Sequence, residues 1–389
     1  MAAHAKLSPS SAARWLSCTA SVALEEQFEE KPSEYAAEGT YAHALCELEG
    51  KYAVGQISRQ KLTAAKKKIR NDDYHTAECE DAASYYANFI KELVTHLETE
   101  KEEEPTVLFE QRLDLSQIAP DCFGTADCIV ICGRELHVID FKYGKGVEVS
   151  AVGNPQMQLY AAGALMMFAP VYDIERVGLT IIQPRIENTS TVFLTTQELT
   201  AWCDEVVKPK AAEAMSGSGQ FEPSETACRF CKAKAECSAR AEHFVQLFDE
   251  DPEPQLVANG RLAELLTATK DMKTWLSEIE AAATSRLMSG EKIPGYKLVE
   301  SKTRRQIPDE EAAAKALRAA GLAEEDMFTV KLAGLTVLEK LLGGKKKAAE
   351  VLDPITEKPP GKPAVAPETD KRPELHPEDL VLNAFDEEE

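Results

Sequence analysis

Two aspartates and a lysine lie close together in one stretch of the sequence, and their types suit metal-dependent chemistry at a phosphate. Asp127 lies in one apolar run, and Asp140 and Lys142 lie at the end of the next. Because side chains two apart on a strand point to the same face, Asp140 and Lys142 share a face while Phe141 points to the other. Carboxylate oxygens hold Mg²⁺ or Mn²⁺, the metal activates water, and a lysine stabilises developing negative charge. The stretch therefore predicts a metal-dependent phosphodiesterase site.

Two apolar runs must position these side chains, Cys122–Cys132 and Glu135–Lys142. A Gly-Arg pair lies between them and predicts a hairpin turn, which would bring Asp127 beside Asp140. Asp-x-Lys alone occurs by chance in many proteins, so an exposed ion pair on a strand is the alternative interpretation.

Apolar residues that recur with the period of a strand (2) or of a helix (3.6) predict further elements before and after this hairpin. The predicted elements, in chain order, are helices at 7–25, from Glu38 and over 59–97, strands Thr106–Leu115, Cys122–Cys132 and Glu135–Lys142, helix Asn154–Phe168, strands Arg176–Gln183 and Thr191–Leu194, and helices Thr196–Met215 and Gly260–Met288. Ser8 is the predicted cap of the first helix, and Cys18 lies inside that helix.

Motif residues in this series resemble the PD-(D/E)xK nuclease superfamily, in its RecB-like branch. The matching segments are GTAD at 124–127, IDFK at 139–142 and PQMQLY at 155–160. Gln156 and Tyr160 form the Q-x-x-x-Y element of that branch and share one helical face, since they are four apart. The sequence departs from the pattern where Ala126 replaces Pro and where Asp140 replaces the frequent Glu. The resemblance implies an α/β (α+β) restriction-endonuclease-like core, which is a mixed sheet flanked by helices.

The resemblance also implies a metal site. Asp127 and Asp140 would bind Mg²⁺ or Mn²⁺ with help from the carbonyl of Phe141. A G-T-x-x-H element implies that His43 binds or orients the metal or the phosphate, although a lone helical histidine is more often structural. Glu110 in the first strand either helps to bind the metal or forms an edge salt bridge.

The same resemblance gives roles to three more side chains. Lys142 would act on the attacking water, and Gln156 and Tyr160 would hold the lysine and the scissile phosphate. The implied activity is hydrolysis of DNA phosphodiester bonds by an exonuclease. The alternative is a nuclease fold that is catalytically silent and serves as a DNA-end or single-strand binding module in a phage recombination complex.

Ten cysteines are present, and three of them are spaced as metal ligands. Cys228, Cys231 and Cys237 follow the pattern C-x₂-C-x₅-C, which is typical of a soft-metal site. This triplet and an L-S-P-S…C opening that ends at Cys18 resemble AddB and the CRISPR-associated exonucleases, in which four cysteines hold a [4Fe–4S] cluster. The alternatives are structural Zn²⁺ in a zinc-stapled interaction protein, and free buried thiols. The remaining cysteines look scattered, namely Cys46, Cys79, Cys122, Cys128, Cys132 and Cys203.

The 389-residue chain is acidic, with a formal net charge of −22. This charge argues against a protein that coats DNA by neutralising phosphates, whereas a local basic groove would still serve a nuclease. The candidate basic patches are Arg59–Arg70, Lys142 with Lys145, and Arg304 with Arg305. No apolar run reaches the ~18 residues of a membrane-spanning helix, and the first residues lack the apolar core of a signal peptide. We therefore expect a cytoplasmic protein with no membrane partner.

Composition changes along the chain predict three regions. Residues 1–245 form the nuclease domain with both cysteine segments, residues 246–350 a mainly helical region, and residues 351–389 a Pro-rich acidic tail that is extended or disordered. From residue 1 to about 380 the chain also resembles a phage-encoded family of uncharacterised function that is often found in prophages. That resemblance implies phage DNA replication or recombination. Its implied partners are DNA and a phage single-strand binding protein, recombinase or helicase.

Overall fold

The computed structural model describes residues 5–28, 34–71, 73–249, 259–297, 299, 310–319, 334–342, 344–352, 354 and 356. The chain divides into two compact units, Met1–Val299 and Glu300–Glu389, and each is described by itself. The first unit contains the sheet, the predicted catalytic residues and the four predicted cluster cysteines. Of the tail predicted at residues 351–389, the structure describes only residues 351, 352, 354 and 356. The region boundaries predicted at residues 245 and 350 stay predictions.

Among the described residues, five α-helices precede the sheet. They are α1 (Ala12–Ser17), α2 (Ser21–Glu25), α3 (Glu34–Ala53), α4 (Arg59–Ile69) and α5 (Ala77–Lys101). The single helical region predicted over 59–97 is thus two helices. The Thr76 hydroxyl accepts a hydrogen bond from the backbone N–H of Cys79 at 3.1 Å and starts α5 as an N-cap.

A mixed five-stranded sheet forms the centre of the first unit. Its strands are β1 (Thr106–Asp114), β2 (Phe123–Cys132), β3 (Glu135–Phe141), β4 (Arg176–Gln183) and β5 (Asn188–Thr195), and their spatial order follows the chain. Strands β3 and β4 are parallel, and the other neighbouring pairs are antiparallel. The predicted mixed sheet is confirmed.

The parallel pair requires a crossover, and helix α6 (Pro155–Phe168) provides it. The Asn154 side chain accepts a hydrogen bond from the backbone N–H of Met157 at 3.2 Å, and Pro155 occupies the first turn. This local chemistry fixes where α6 begins. It also places Gln156, one residue later, beside the end of β3.

Helices cover both faces of the sheet, and each face buries its own apolar cluster. One cluster joins the sheet to α1 and α6, with Trp15, Leu136 and Leu159 among its buried members. The other joins the sheet to α3 and α5, with Leu45 and Tyr86 among its members. Because both faces are covered, β3 and β4 are buried along nearly their whole length.

The described residues after the sheet are mainly helical. The first unit continues with α7 (Thr196–Trp202), a π-helical turn at Cys203–Val207, α8 (Lys208–Met215), α9 (Glu225–Cys228), α10 (Ser238–Asp249) and α11 (Asn259–Met288). In the second unit the structure describes α12 (Glu310–Ala319), α13 (Leu335–Leu341) and α14 (Lys345–Leu352). Among the residues described, none of the helices combines the length and apolar character needed to span a membrane.

The N-terminal segment differs from the single helix predicted over 7–25. A 3-10 turn leads into α1, and the chain leaves the helix at Cys18 before α2 begins. The break has a tertiary cause, because Thr19 accepts a hydrogen bond from the backbone N–H of Gln220 at 2.7 Å. Ala20 donates its backbone N–H to the Gln220 carbonyl at 3.1 Å. Ser8 is the N-cap of that 3-10 turn, in the predicted position, but its hydroxyl makes no capping hydrogen bond.

Candidate active site

Three carboxylates lie in register across three neighbouring strands. Phe109 pairs with Cys128 and Gln111 with Ala126, so Glu110 of β1 lies opposite Asp127 of β2. On the other side of β2, Cys128 pairs with Ile139, and the next residues in register are therefore Asp127 and Asp140. We call Glu110, Asp127 and Asp140 the acid row. The regular ladders include neither of the two pairs within the row.

Glu110 departs from strand geometry at this point. Its φ is 51°, in the left-handed region, although the residues on either side of it pair regularly with β2. A non-glycine residue held in that region costs of order 1 kcal/mol or more and persists only where its surroundings impose it. Partial burial, and after it the negative charge of Asp127, raise the pKa of Glu110 to about 7.

His43 projects from α3 onto the acid row. Its Nδ1 lies 3.3 Å from Oδ1 of Asp127, and its ring packs edge-on against Phe141 with the centroids 5.5 Å apart. Burial lowers the pKa of His43, but the hydrogen bond to Asp127 and that carboxylate's charge outweigh it, so the pKa is raised. The other carboxylate oxygen of Asp127 accepts a hydrogen bond from the backbone N–H of Phe141 at 2.7 Å.

Ligand atoms of His43, Glu110 and Asp127 all lie within 4.8 Å of one another. Two carboxylates and one imidazole form a donor set that suits Mg²⁺ or Mn²⁺. The structure thus brings together two of the predicted ligands and adds Glu110, for which the sequence left two interpretations open. Asp140 is next in the row but is not part of this close group.

Asp140 turns instead toward Lys142 and α6. Its carboxylate receives a hydrogen bond from Gln156 Nε2 at 3.1 Å, and Lys142 Nζ lies 3.0 Å from Oδ2. The angles of this contact do not fit a hydrogen bond, so it is an ion pair only. The buried Oδ2 therefore accepts no hydrogen bond from the described residues. Burial raises the pKa of Asp140, and the Lys142 charge opposes that rise. A buried carboxylate oxygen that the Lys142 charge holds without a hydrogen bond, beside the close group, fits a metal ligand.

Lys142 is held from two sides. Its Nζ donates to Gln156 Oε1 at 3.0 Å and faces Asp140. Burial lowers the pKa of Lys142, but Asp140 and Asp127 raise it further, so the net pKa lies above its ordinary value. The amine therefore stays protonated, and Gln156 positions it as the resemblance implied.

Tyr160 lies one turn after Gln156 on α6 and packs against the GTAD segment. A Cβ added at Gly124 would lie 2.8 Å from Cε1 of Tyr160, so only glycine allows this close approach. Burial raises the pKa of Tyr160 and keeps its hydroxyl protonated. The requirement for glycine at position 124 could not be predicted from the sequence, since the motif shows the glycine but not the side chain that packs against it.

An open cavity of about 630 Å³ leads to the acid row from the α3 side. His43 and Glu110 line it together with Glu47, which forms an ion pair with Lys51 at 2.5 Å. The cavity therefore gives solvent and a ligand access to the close group. The spacing of His43 and Glu47, four apart on α3, is the sequence feature that points to Glu47 as a lining residue.

The four predicted cluster cysteines lie near one another. Cys18 and Cys228 belong to one small buried apolar cluster, and all ten cysteines of the chain are free thiols. Burial raises the pKa of Cys228 and raises that of Cys231 to about 11. Among the described residues, no three of the cysteine sulfurs lie within 4.8 Å of one another, a wider arrangement than four thiolates at about 2.3 Å from one Zn²⁺ would have.

The two cysteine segments are joined by a set of contacts that we call the clasp. Besides the Thr19–Gln220 contacts, Glu25 Oε1 accepts a hydrogen bond from the backbone N–H of Lys232 at 2.7 Å. Arg14 forms an ion pair with Glu25 at 2.7 Å and donates to the carbonyl of Phe230 at 3.3 Å. Polar contacts, as well as apolar packing, therefore hold the N-terminal cysteine segment against the C-terminal one.

The segment that holds Cys237 is attached in turn to α11. Arg240 is 1% exposed, and its guanidinium pairs with Asp271 at 2.7 Å and with Glu278 at 2.8 Å. Phe244 packs on Trp275 with ring centroids 4.9 Å apart. A buried guanidinium is tolerated only when it is paired, so these contacts fix α10 against α11.

Comparison with known proteins gives a family for the chain and a distant structural neighbour. The neighbour is the crystal structure of SSO0001, with 16% sequence identity over 57% of this chain and 95% of that chain, at a TM-score of 0.23. The family match, to the proteins of unknown function DUF2800, covers residues 4–373. Because this match spans nearly the whole sequence, the chain belongs to the DUF2800 family.

Proposed function

We propose that this protein is a Mg²⁺- or Mn²⁺-dependent deoxyribonuclease with a PD-(D/E)xK core, acting as an exonuclease in phage DNA replication or recombination. The observation that carries the proposal is the acid row with Lys142 beside it. Three carboxylates from three strands, one imidazole and one protonated lysine form one connected group, of which His43 and Glu110 line the cavity. Each is a group that phosphodiester hydrolysis can use.

Each residue of the site would have a role that follows from its position. His43, Glu110 and Asp127 would hold the metal, with Asp140 and the Phe141 carbonyl next to them. When bound, the metal would supply Lewis acidity and lower the pKa of water. The Phe141 N–H fixes Asp127, so the carboxylate presents one oxygen to the metal side.

Lys142 would place its ammonium where negative charge develops on the phosphate or the water. Gln156 bridges Lys142 and Asp140 and so holds the ammonium in one orientation. Preorganised donors of this kind are worth about 10²–10³ in rate when one is removed. Tyr160 would support the phosphate side of the site from the same helical face.

A [4Fe–4S] cluster held by Cys18, Cys228, Cys231 and Cys237 completes the proposal. The clasp contacts, which bring the two cysteine segments together, support a shared metal site there, and structural Zn²⁺ stays the alternative. The cluster would lie on the clasp, so its role would be structural. Chemically, it would supply four iron–thiolate bonds that join the two ends of the domain.

The test is digestion of labelled DNA by anaerobically purified protein. Linear and circular substrates, each single- and double-stranded, are incubated with Mg²⁺, with Mn²⁺ and with a chelator. We expect metal-dependent loss of linear DNA and sparing of circles. Linear DNA that binds but stays intact with either metal would instead favour the catalytically silent binding module.

A further inference from the structure

Helix α4 is a cationic surface in an acidic protein. Its eleven residues include five lysines and arginines and no acidic residue. Four of them, Arg59, Lys61, Lys67 and Lys68, are exposed, and none has an ion-pair partner among the described residues. A positively charged surface is unusual in a chain with a net charge of −22, and it favours the binding of an anionic partner.

The inner face of α4 is fixed, so the cations project from a rigid support. Leu62 is buried, and Lys66 lies between Glu49 of α3, with which it forms an ion pair, and Glu80 of α5 at 2.5 Å. Lys66 therefore attaches α4 to the helix that carries His43. The side chains that stay unpaired are those that face outward.

The other basic patches predicted from the sequence do not offer the same surface. Lys145 pairs with Glu78 at 2.8 Å, and Lys142 pairs with Asp140. Arg304 and Arg305 lie outside the described residues. Of the patches that the structure describes, α4 is thus the one that keeps its positive charge available.

We propose that the outer face of α4 binds the phosphate backbone of the DNA duplex that flanks the bond being cleaved. This inference rests on the proposed nuclease function. By standard helix dimensions, the outer face of a helix packed on α3 lies roughly 15–20 Å from His43. Duplex DNA carries one negative charge per about 1.7 Å of axis, so several phosphates fall within that reach. Contacts from lysine and arginine to phosphates carry no sequence information, so we expect this binding to be independent of sequence.

The experiment measures duplex affinity against salt concentration in a Lys142→Ala background, which leaves the DNA uncut. In the test variant, Arg59, Lys61, Lys67 and Lys68 are changed to Gln, which keeps helix propensity. The matched control changes four exposed lysines elsewhere in the first unit to Gln, namely Lys270, Lys273, Lys292 and Lys297. Both variants lose four positive charges, so any effect of net charge alone on DNA affinity is the same in the two.

We expect the slope of log affinity against log salt to become shallower by about 2 to 4 in the test variant and to change little in the control. With Lys142 restored, the test variant should cleave a duplex too short to reach α4 at the parental rate. Equal slopes in the two variants would overturn the role of α4 and leave the nuclease proposal standing if the parent cleaves DNA. A parent that neither cleaves nor binds DNA would overturn both.

Discussion

Lys142 is the side chain whose removal separates chemistry from folding most directly. Lys142→Ala should lower the rate of DNA cleavage by at least about 10²-fold, because the ammonium aimed at the reacting atoms is lost. Far-ultraviolet circular dichroism should stay unchanged. The matched control is Lys145→Ala, three residues on, where an exposed lysine pairs with Glu78 and faces no site residue. Cleavage at the parental rate by Lys142→Ala would contradict the assignment.

Glu110 should make the metal-free protein less stable as pH rises. Its pKa is raised from about 4.5 to about 7 in the folded state, so the folded protein holds a proton that the unfolded chain has released. The free energy of unfolding should therefore fall between about pH 4.5 and 7 and should be unaffected by this group outside that window. Urea unfolding across this pH range, compared with Glu110→Gln, isolates the contribution. An identical pH dependence in the two proteins would refute it.

At the scale of single residues, the motifs indicate which polar side chains belong to the site better than which of them lie close together. Asp127, Asp140, Lys142 and Gln156 meet as expected. Glu110 was uncertain because its place opposite Asp127 depends on the register of β1 against β2, which no local pattern specifies. Its left-handed φ likewise follows from the surrounding strands and not from the preferences of glutamate.

Among the elements, the sheet and α6 were predictable because strand alternation, a Gly-Arg turn and an Asn-Pro helix start are all local features. The break at Cys18 was not, because it depends on hydrogen bonds to Gln220, about two hundred residues away in the chain. The π-helical turn at Cys203–Val207 also had no local indication and interrupts a helix that was expected to be regular.

The clasp can be tested as an element without reference to any metal. A Cβ added at Gly219 would lie 2.5 Å from the backbone N of Ala20, and backbone cannot give way as a side chain can. Gly219→Ala should therefore reduce the free energy of unfolding by about 1–3 kcal/mol. Gly144→Ala is the control, since nothing lies within 4 Å of its added Cβ. Equal stabilities of the two variants in urea would show that the clasp contacts do not form.

On the scale of the whole molecule, Cys18 should control iron content. Cys18→Ala should lose the broad absorption near ~400 nm and about four irons per chain, since cysteine thiolates hold a [4Fe–4S] cluster. It should also destabilise the domain strongly, because the ligation closes a long loop. Cys46→Ala and Cys203→Ala, which remove buried cysteines elsewhere, should keep their iron.

Two results would contradict this assignment in different ways. One zinc per chain in colourless protein would replace the cluster but keep a metal-held clasp. Full iron retention by Cys18→Ala would show that the N-terminal segment is not a ligand segment at all.

The clasp also has a consequence for synthesis on the ribosome. Thr19 finds its hydrogen-bonding partner in Gln220, 201 residues later in the chain. At a translation rate of 5–20 residues per second, α1 emerges from the ribosome about 10–40 s before that partner does. For most of this interval Trp15, which is buried in the finished protein, lacks the sheet and α6 that it packs against. The nascent N-terminal segment therefore exposes this apolar side chain until those elements emerge.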